Sequence, residues 1–297
     1  MRDYAYVLCD VFTATPYAGN PLAVVPDATG LDTAAMQRIA AEFNLSETAF
    51  VFPGDPPALR IFTPRDELPF AGHPLIGTAH VLAERGELGS ADAAGMRRLD
   101  VRAGSIAIAL EGAAAAHGAP IRLTAPRAPA AGPAAPPPHR LAALLGLAAA
   151  DLHPGWPAGT WSCGVPFLCI PLADRGALAR VRLDHAGLRD LAGEWTSKLY
   201  VFAPGDDDED LEARMFAPAL GIDEDPGTGA AATALAGLLG RIAGPGTHRR
   251  VIHQGLRMNR PCRLVLDFEV VADQVTRVCL GGAAVTLGGG RIAAPPA

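Results

Sequence analysis

Two titratable residues stand at equivalent places in a sequence that repeats itself. His73 and Asp225 are each followed by proline, and they lie 152 positions apart (225 − 73). The segments that begin there, predicted as helices over 74–85 and 226–242, are apolar or small on almost every side, so we expect them to be buried. The free N–H groups and the dipole of a helix N-terminus attract anions. These positions therefore predict acid–base chemistry on a carboxylate or enolate.

A third candidate is Glu47, which lies with Ser46 between a predicted helix over 33–43 and the following strand. Each candidate also has an ordinary structural interpretation. A lone loop glutamate usually faces water, Asp225 could be a helix N-cap, and His73 could be a half-buried histidine bonded to backbone. Taken singly, these interpretations are the more common ones. The repeat favours function, because it puts His73 and Asp225 at equivalent positions.

The repeat consists of four pairs of similar segments in the same order. Their offsets are 145 (164 − 19), 152 (183 − 31), 154 (214 − 60) and 152 (225 − 73). This duplication predicts an α+β protein of two pseudo-symmetric lobes, each a sheet around a central apolar helix, with a site in the cleft between them. We place the lobes at 1–125 and 139–297, joined by a Pro/Ala-rich linker over 126–138. The last strand could pack with either lobe.

Composition excludes several classes of protein. The chain has 297 residues, a net charge of −6 and no run of Lys or Arg, so no nucleic-acid surface is expected. No apolar run has the length of a membrane span, and the N-terminus begins as a strand rather than a signal peptide. The five cysteines and eight histidines lack metal-ligand spacing, and no phosphate-binding glycine motif is present. We expect a cytoplasmic protein with no metal, no cofactor, and no nucleic-acid or membrane partner.

Six motifs, in order along nearly the whole chain, resemble the PhzF-like family of phenazine-biosynthesis isomerases. They are Asp10-Val11-Phe12-Thr13, Ala18-Gly19-Asn20-Pro21, Asn44-Leu45-Ser46-Glu47-Thr48-Ala49-Phe50, Arg60-Ile61-Phe62-Thr63-Pro64, Phe70-Ala71-Gly72-His73-Pro74 and Glu224-Asp225-Pro226-Gly227-Thr228-Gly229. The resemblance implies the fold of diaminopimelate epimerase, in which two β-barrels each surround a central helix. It also implies a homodimer.

The resemblance further implies roles for particular residues. Glu47 would be the proton-shuttling acid and base, and His73 and Asp225 would assist at the substrate. The related epimerases carry catalytic cysteines at the positions of His73 and Asp225, and this chain has none there, which disfavours two-cysteine racemisation. The residues expected to bind the substrate are Asn20, Ser46, Gly72, Thr228, Gly229 and Ala230.

One residue departs from the family pattern. The family commonly has serine where this chain has Ala230, so a hydroxyl that could bond a substrate carboxylate is missing while the backbone N–H remains. The expected function is a cofactor-independent isomerase that moves a proton on a small carboxylate-bearing metabolite. Two alternatives stay open: an amino-acid epimerase or racemase on the same scaffold, and a non-catalytic small-molecule-binding protein.

Overall fold

The structure is a computed structural model that describes residues 2–111, 120–192, 196–205, 207 and 210–295. The chain forms two compact units. The first contains Met1–Pro126 and Gly281–Ala297, and the second contains Arg127–Leu280. Among the described residues, no helix is both long and apolar enough to span a membrane.

In the part of the chain that the structure describes, the first unit is built on a sheet of eight principal strands and one short strand. The strands are β1 (Asp3–Val11), β2 (Asn20–Val25), β3 (Thr48–Phe52), β4 (Ala58–Phe62), β5 (Glu67–Leu68), β6 (Arg97–Val101), β7 (Gly104–Leu110), β8 (Ile121–Thr124) and β18 (Ala284–Ala293). They pair in the order β18–β1–β2–β3–β4–β6–β7–β8, and β5 pairs with β4. The β2–β3 and β4–β6 pairs are parallel, and the others are antiparallel.

The described residues of this unit form two helices, α1 (Thr33–Phe43) and α2 (Gly72–Glu84). The span of α1 is the predicted one, and the Asp32 carboxylate caps it by accepting a hydrogen bond from the backbone N–H of Ala35 at 2.7 Å. Every residue from Gly72 through Leu82 is buried. Helix α2 packs against β1, β2, β3, β8 and β18, so strands from both ends of the sheet and from its middle cover the helix. The predicted sheet around a central helix is confirmed for this unit.

The second unit repeats the arrangement. Its strands are β9 (Ala130–Ala131), β10 (Gly159–Ser162), β11 (Pro166–Pro171), β12 (Leu199–Pro204), β13 (Asp210–Ala217), β14 (Ile222–Asp225), β15 (Gly246–Gln254), β16 (Cys262–Val271) and β17 (Gln274–Gly282). Seven of them pair in the order β9–β10–β11–β12–β13–β15–β16, and β14 pairs with β13. The parallel pairs β11–β12 and β13–β15 correspond to the parallel pairs β2–β3 and β4–β6 of the first unit.

The helices of the second unit are α3 (Pro138–Leu144), α4 (Arg175–Arg180), α5 (His185–Ala192) and α6 (Gly229–Ala243). Helix α6 packs against β9, β10, β11 and β16. The prediction over 185–194 agrees with α5, while 193–194 lie outside the described residues. The predicted start of α6 at Pro226 is three residues too early. Asp225, the last residue of β14, is still paired with Met215 of β13. A residue that precedes proline is also biased toward extended backbone.

Two segments define the limits of the units in the structure. The predicted linker over 126–138 contains β9, which pairs with β10. The closing segment Gly281–Ala297 belongs to the first unit, because β18 pairs with β1 from Asp3↔Ala293 to Val11↔Ala284. Backbone pairing over the length of a strand therefore decides where the end of the chain packs.

Close packing of α6 predicts that Gly237→Ala destabilises the protein. A Cβ at Gly237 would overlap the indole ring of Trp161, and such overpacking costs about 1–3 kcal/mol of unfolding free energy. Thermal or denaturant unfolding measures the change. Gly288→Ala is the control, because nothing lies within 4 Å of a Cβ there. Equal stability of the two variants would show that α6 is not packed against Trp161.

Candidate active site

Residues from three elements meet in the first unit. Asn20 begins β2, Ser46 and Glu47 lie in the short connection between α1 and β3, and His73 is the second residue of α2. The chain turns sharply before β2 at Gly19, whose φ is 70°. A Cβ at Gly19 would lie 2.5 Å from the carbonyl oxygen of Val11, so only glycine fits this turn.

The His73 ring links the other two elements. Its Nδ1 atom lies 3.1 Å from Oε2 of Glu47 and 3.5 Å from Nδ2 of Asn20. The Ser46 hydroxyl donates to Oδ1 of Asn20 at 3.2 Å, which holds the amide from its other side. The side chain of Glu47 is 14% exposed and that of His73 is 4% exposed. The glutamate therefore lies largely shielded from water, against the imidazole.

Burial determines the charge of this pair. Loss of hydration lowers the pKa of His73 from 6.5 to about 3, although a hydrogen bond with the Pro21 carbonyl opposes the change. His73 is thus neutral at pH 7, and its contact with Glu47 is a hydrogen bond rather than an ion pair. The Nε2 atom is buried and makes no hydrogen bond of good geometry with the described residues.

The second unit presents another polar group, at the start of α6. Asp225 ends β14, Pro226 and Gly227 form the connection, and Thr228 is the residue that precedes the first turn of α6. Asp225 is 4% exposed and Thr228 is 9% exposed. The Thr228 hydroxyl donates a short hydrogen bond to Oδ2 of Asp225.

A buried glutamine supports this group from the end of β15. Nε2 of Gln254 donates to the carbonyl oxygen of Asp225 at 2.8 Å and to Oγ1 of Thr228 at 3.1 Å. Oε1 of Gln254 accepts from the backbone N–H of Thr228 at 3.2 Å and from the hydroxyl of Tyr200 at 3.1 Å. Burial raises the pKa of Tyr200 well above its usual value, so the phenol stays protonated and donates.

The structure distinguishes between the interpretations left open for the three candidates. Glu47 is largely shielded from water, and its carboxylate contacts the His73 ring. Asp225 is not the N-cap of α6, since the helix begins four residues later, at Gly229. His73 is buried rather than half-buried, and it bonds a side chain as well as backbone.

The expected substrate-binding residues fall into two sets. In the first set, the fully buried Asn20 lies beside the His73 ring and accepts a hydrogen bond from Ser46. Gly72, which precedes His73, is the first residue of α2. Thr228 and Gly229 are buried at the start of α6, whereas Ala230 is half-buried. The sequence interpretation missed Gln254 and Tyr200. Gln254 ends a mostly polar strand, Gly246–Gln254, so no local signal marks it.

Comparison with known proteins identifies the fold and then the family. A PhzF-family phenazine biosynthesis protein from Bacillus anthracis has the same fold, with a TM-score of 0.87 over 99% of this chain and all of that chain, at 24% identity. The protein thus has the α+β fold that PhzF-family structures share with a probable proline racemase of Agrobacterium radiobacter, which matches 99% of this chain and 94% of its own at a TM-score of 0.61. The family model for phenazine biosynthesis-like proteins matches residues 9–290.

Two relatives extend the comparison. An uncharacterized isomerase of Mesorhizobium japonicum is 40% identical over 98% of this chain and 99% of its own length. A trans-2,3-dihydro-3-hydroxyanthranilate isomerase of Pseudomonas fluorescens is 36% identical over 97% of this chain and 98% of its own length. The chain belongs to the phenazine biosynthesis-like, or PhzF-like, family and is an isomerase of that family.

The buried neutral histidine predicts a specific pH dependence of stability. Below pH 6.5 the unfolded chain binds a proton at His73 that the folded protein binds only near pH 3. The folded state therefore loses about 2 kcal/mol through this group between pH 7 and pH 5. Chemical denaturation of wild type and His73→Asn at both pH values measures the effect. Between pH 7 and pH 5, the unfolding free energy of the variant should fall about 2 kcal/mol less than that of wild type. Identical losses would contradict a buried, neutral His73.

Proposed function

We propose that this isomerase moves a proton within a small carboxylate-bearing metabolite by acid–base catalysis, without a cofactor. Glu47 is the acid and base, and His73 and Asp225 orient the substrate and stabilise the charge that develops. The observation that carries the proposal is the shielded carboxylate of Glu47, held 3.1 Å from a neutral imidazole. A general base must be partly protected from water and held in position, and this contact supplies both conditions.

In this mechanism the proton that leaves the substrate returns to the same molecule. The ionised carboxylate of Glu47 removes a proton from a carbon next to a π-system and becomes a neutral acid. The electron pair left behind moves into the π-system, and the double bonds shift. The acid then returns its proton to another carbon of the same molecule, so that no oxidant, reductant or second substrate is consumed.

The second group of polar residues would act on the same substrate, in a cleft between the two lobes. The sequence repeat supports this step, because it relates Asp225 to His73, and both units build the same topology around one helix. The backbone N–H groups at the start of α2 and α6, at Gly72, Gly229 and Ala230, would bind a carboxylate or enolate oxygen. Asn20, Ser46 and Thr228 would complete the binding site.

The isomerase named for trans-2,3-dihydro-3-hydroxyanthranilate makes that compound the first one to test as a substrate. The compound carries a carboxylate, as the proposed site requires. The homodimer and the cytoplasmic location stay predictions, as does the absence of nucleic-acid and membrane partners.

An amino-acid epimerase or racemase would use the same scaffold for a different outcome, the inversion of one stereocentre. The two equivalent positions in the repeat hold His73 and Asp225 rather than cysteines. The five cysteines are free thiols, and burial raises the pKa of Cys163 to about 12. That thiol does not supply a thiolate base at neutral pH. The observed residues therefore favour the isomerase.

Glu47→Gln tests the role of the carboxylate. The amide keeps the size of the side chain but accepts no proton, so turnover of trans-2,3-dihydro-3-hydroxyanthranilate should fall about 10²- to 10⁴-fold. The melting temperature should change little. Turnover can be followed by the ultraviolet absorbance of the shifting double bonds.

Glu42→Gln is the matched control, because Glu42 is an exposed glutamate at the end of α1. It should keep full turnover. Full turnover by Glu47→Gln would remove the assignment of the acid and base. Binding without turnover in wild type would instead indicate the non-catalytic small-molecule-binding protein.

Ala230→Ser tests the departure from the family pattern. A hydroxyl at this half-buried position adds one hydrogen-bond donor for a carboxylate, worth about 0.5–1.5 kcal/mol, so KM for the same compound should fall roughly two- to tenfold. Steady-state kinetics measure the change. An unchanged or higher KM would mean that the substrate carboxylate does not reach residue 230.

A further inference from the structure

The buried amide of Gln254 has only one orientation that satisfies its neighbours. The backbone N–H of Thr228 can only donate, and it faces Oε1 at 3.2 Å. The carbonyl oxygen of Asp225 can only accept, and it faces Nε2 at 2.8 Å. Two backbone groups of the same loop therefore fix the oxygen and the nitrogen of the side chain without ambiguity.

This orientation determines the direction of the next hydrogen bond. The second N–H of Nε2 points to Oγ1 of Thr228 at 3.1 Å, so that oxygen is an acceptor toward Gln254. The one hydroxyl proton of Thr228 is then directed to Oδ2 of Asp225. Oδ2 accepts this hydrogen bond, so the Asp225 side chain is held as an acceptor toward Thr228.

We propose that Gln254 is a positioning residue for catalysis, which acts through Thr228 to hold the Asp225 carboxylate in one orientation as a hydrogen-bond acceptor. The inference rests on the proposed function of Asp225 at the substrate. It also directs the one hydroxyl proton of Thr228 to Asp225, so that Thr228 would line the binding site without donating to the substrate. Recognition of a substrate anion by this loop is then left to the backbone N–H groups of Gly229 and Ala230.

The surroundings of Gln254 fit a fixed support. Its side chain is fully buried, and Gly255 follows it with a φ of 76°. A Cβ at Gly255 would lie 2.6 Å from the carbonyl oxygen of Pro226, so glycine allows the end of β15 to approach the loop closely. Tyr200 donates a second hydrogen bond to Oε1, and the titratable groups that influence Tyr200 are Cys169, Cys262 and Asp225.

Four variants separate positioning from a general loss of structure. Gln254→Leu removes the amide at similar volume, and Thr228→Val removes the hydroxyl that contacts Asp225. Each should lower kcat/KM for trans-2,3-dihydro-3-hydroxyanthranilate roughly 10- to 100-fold, because a misplaced catalytic group costs about that much. Tyr200→Phe should cost less than about threefold, since the Thr228 N–H still orients the amide. Thr160→Val is the control, because its buried hydroxyl has no hydrogen-bond partner among the described residues.

Gln254→Glu tests the same role through the pH dependence of activity, which a loss of packing would not change. A protonated carboxyl at this position can still donate one hydrogen bond, whereas an ionised one only accepts and draws the Thr228 proton away from Asp225. The activity of this variant relative to wild type should therefore fall as pH rises through the titration of the introduced carboxyl. A pH profile parallel to that of wild type would overturn the proposal, as would wild-type kcat/KM for Gln254→Leu.

Crystal structures of the same variants keep this test separate from the test of the proposed function. In Gln254→Leu the Asp225 carboxylate or the Thr228 side chain should rotate, while Thr160→Val should keep both in place. If wild type does not convert the compound, that compound is removed as the substrate, and the structures alone decide the inference. Unmoved Asp225 and Thr228 in Gln254→Leu would overturn it.

Discussion

An apolar helix without a polar face must be covered on every side, and the rest of this structure follows from that requirement. In each unit a sheet supplies the cover, with parallel and antiparallel pairs in the same order. Few side chains in the body of either helix are polar, and Thr78 and His80 of α2 are buried there. The N-terminus differs, because connections reach the buried helix at that end and backbone N–H groups lack intrahelical partners. His73 and Asp225 lie at those two places.

The two units meet the cost of burying polar groups differently. In the first unit the histidine gives up its charge, because burial lowers the pKa of His73 to about 3 and leaves a neutral ring against Glu47. In the second unit the buried Asp225 side chain accepts a hydrogen bond from Thr228, and both are supported by an uncharged amide, Gln254, whose four hydrogen bonds are all made within the unit. The hydrogen bonds of the second group therefore have a fixed direction. This difference fits the proposed roles, in which one half transfers the proton and the other orients the substrate.

Local patterns in the sequence predicted a large part of this arrangement. The helix over 33–43 was predictable because Asp32 and the helical spacing of apolar residues are local signals. The repeat predicted two copies of one topology, and the residues before the central helices predicted where the polar groups lie. Glu47 was more ambiguous, since only its contact with His73 distinguishes it from a solvent-facing loop residue.

The parts that were not predicted depend on contacts between distant residues. The start of α6 at Gly229 reflects strand pairing of Asp225 with Met215. Gln254 matters because it reaches a loop 26 residues earlier in the chain. The place of β18 in the first unit depends on pairing with β1 at the opposite end of the chain. One sequence read locally contains no signal for any of these contacts.

The most direct test of a proton shuttle is nuclear magnetic resonance of a wild-type reaction in deuterated water, with trans-2,3-dihydro-3-hydroxyanthranilate as the compound. Transfer by Glu47 within one molecule predicts a product whose double bonds have moved and whose new C–H bond lies on a different carbon from the one that lost its proton. Solvent deuterium entering the original stereocentre, with the double bonds unmoved, would contradict the proposed isomerisation and indicate an epimerase.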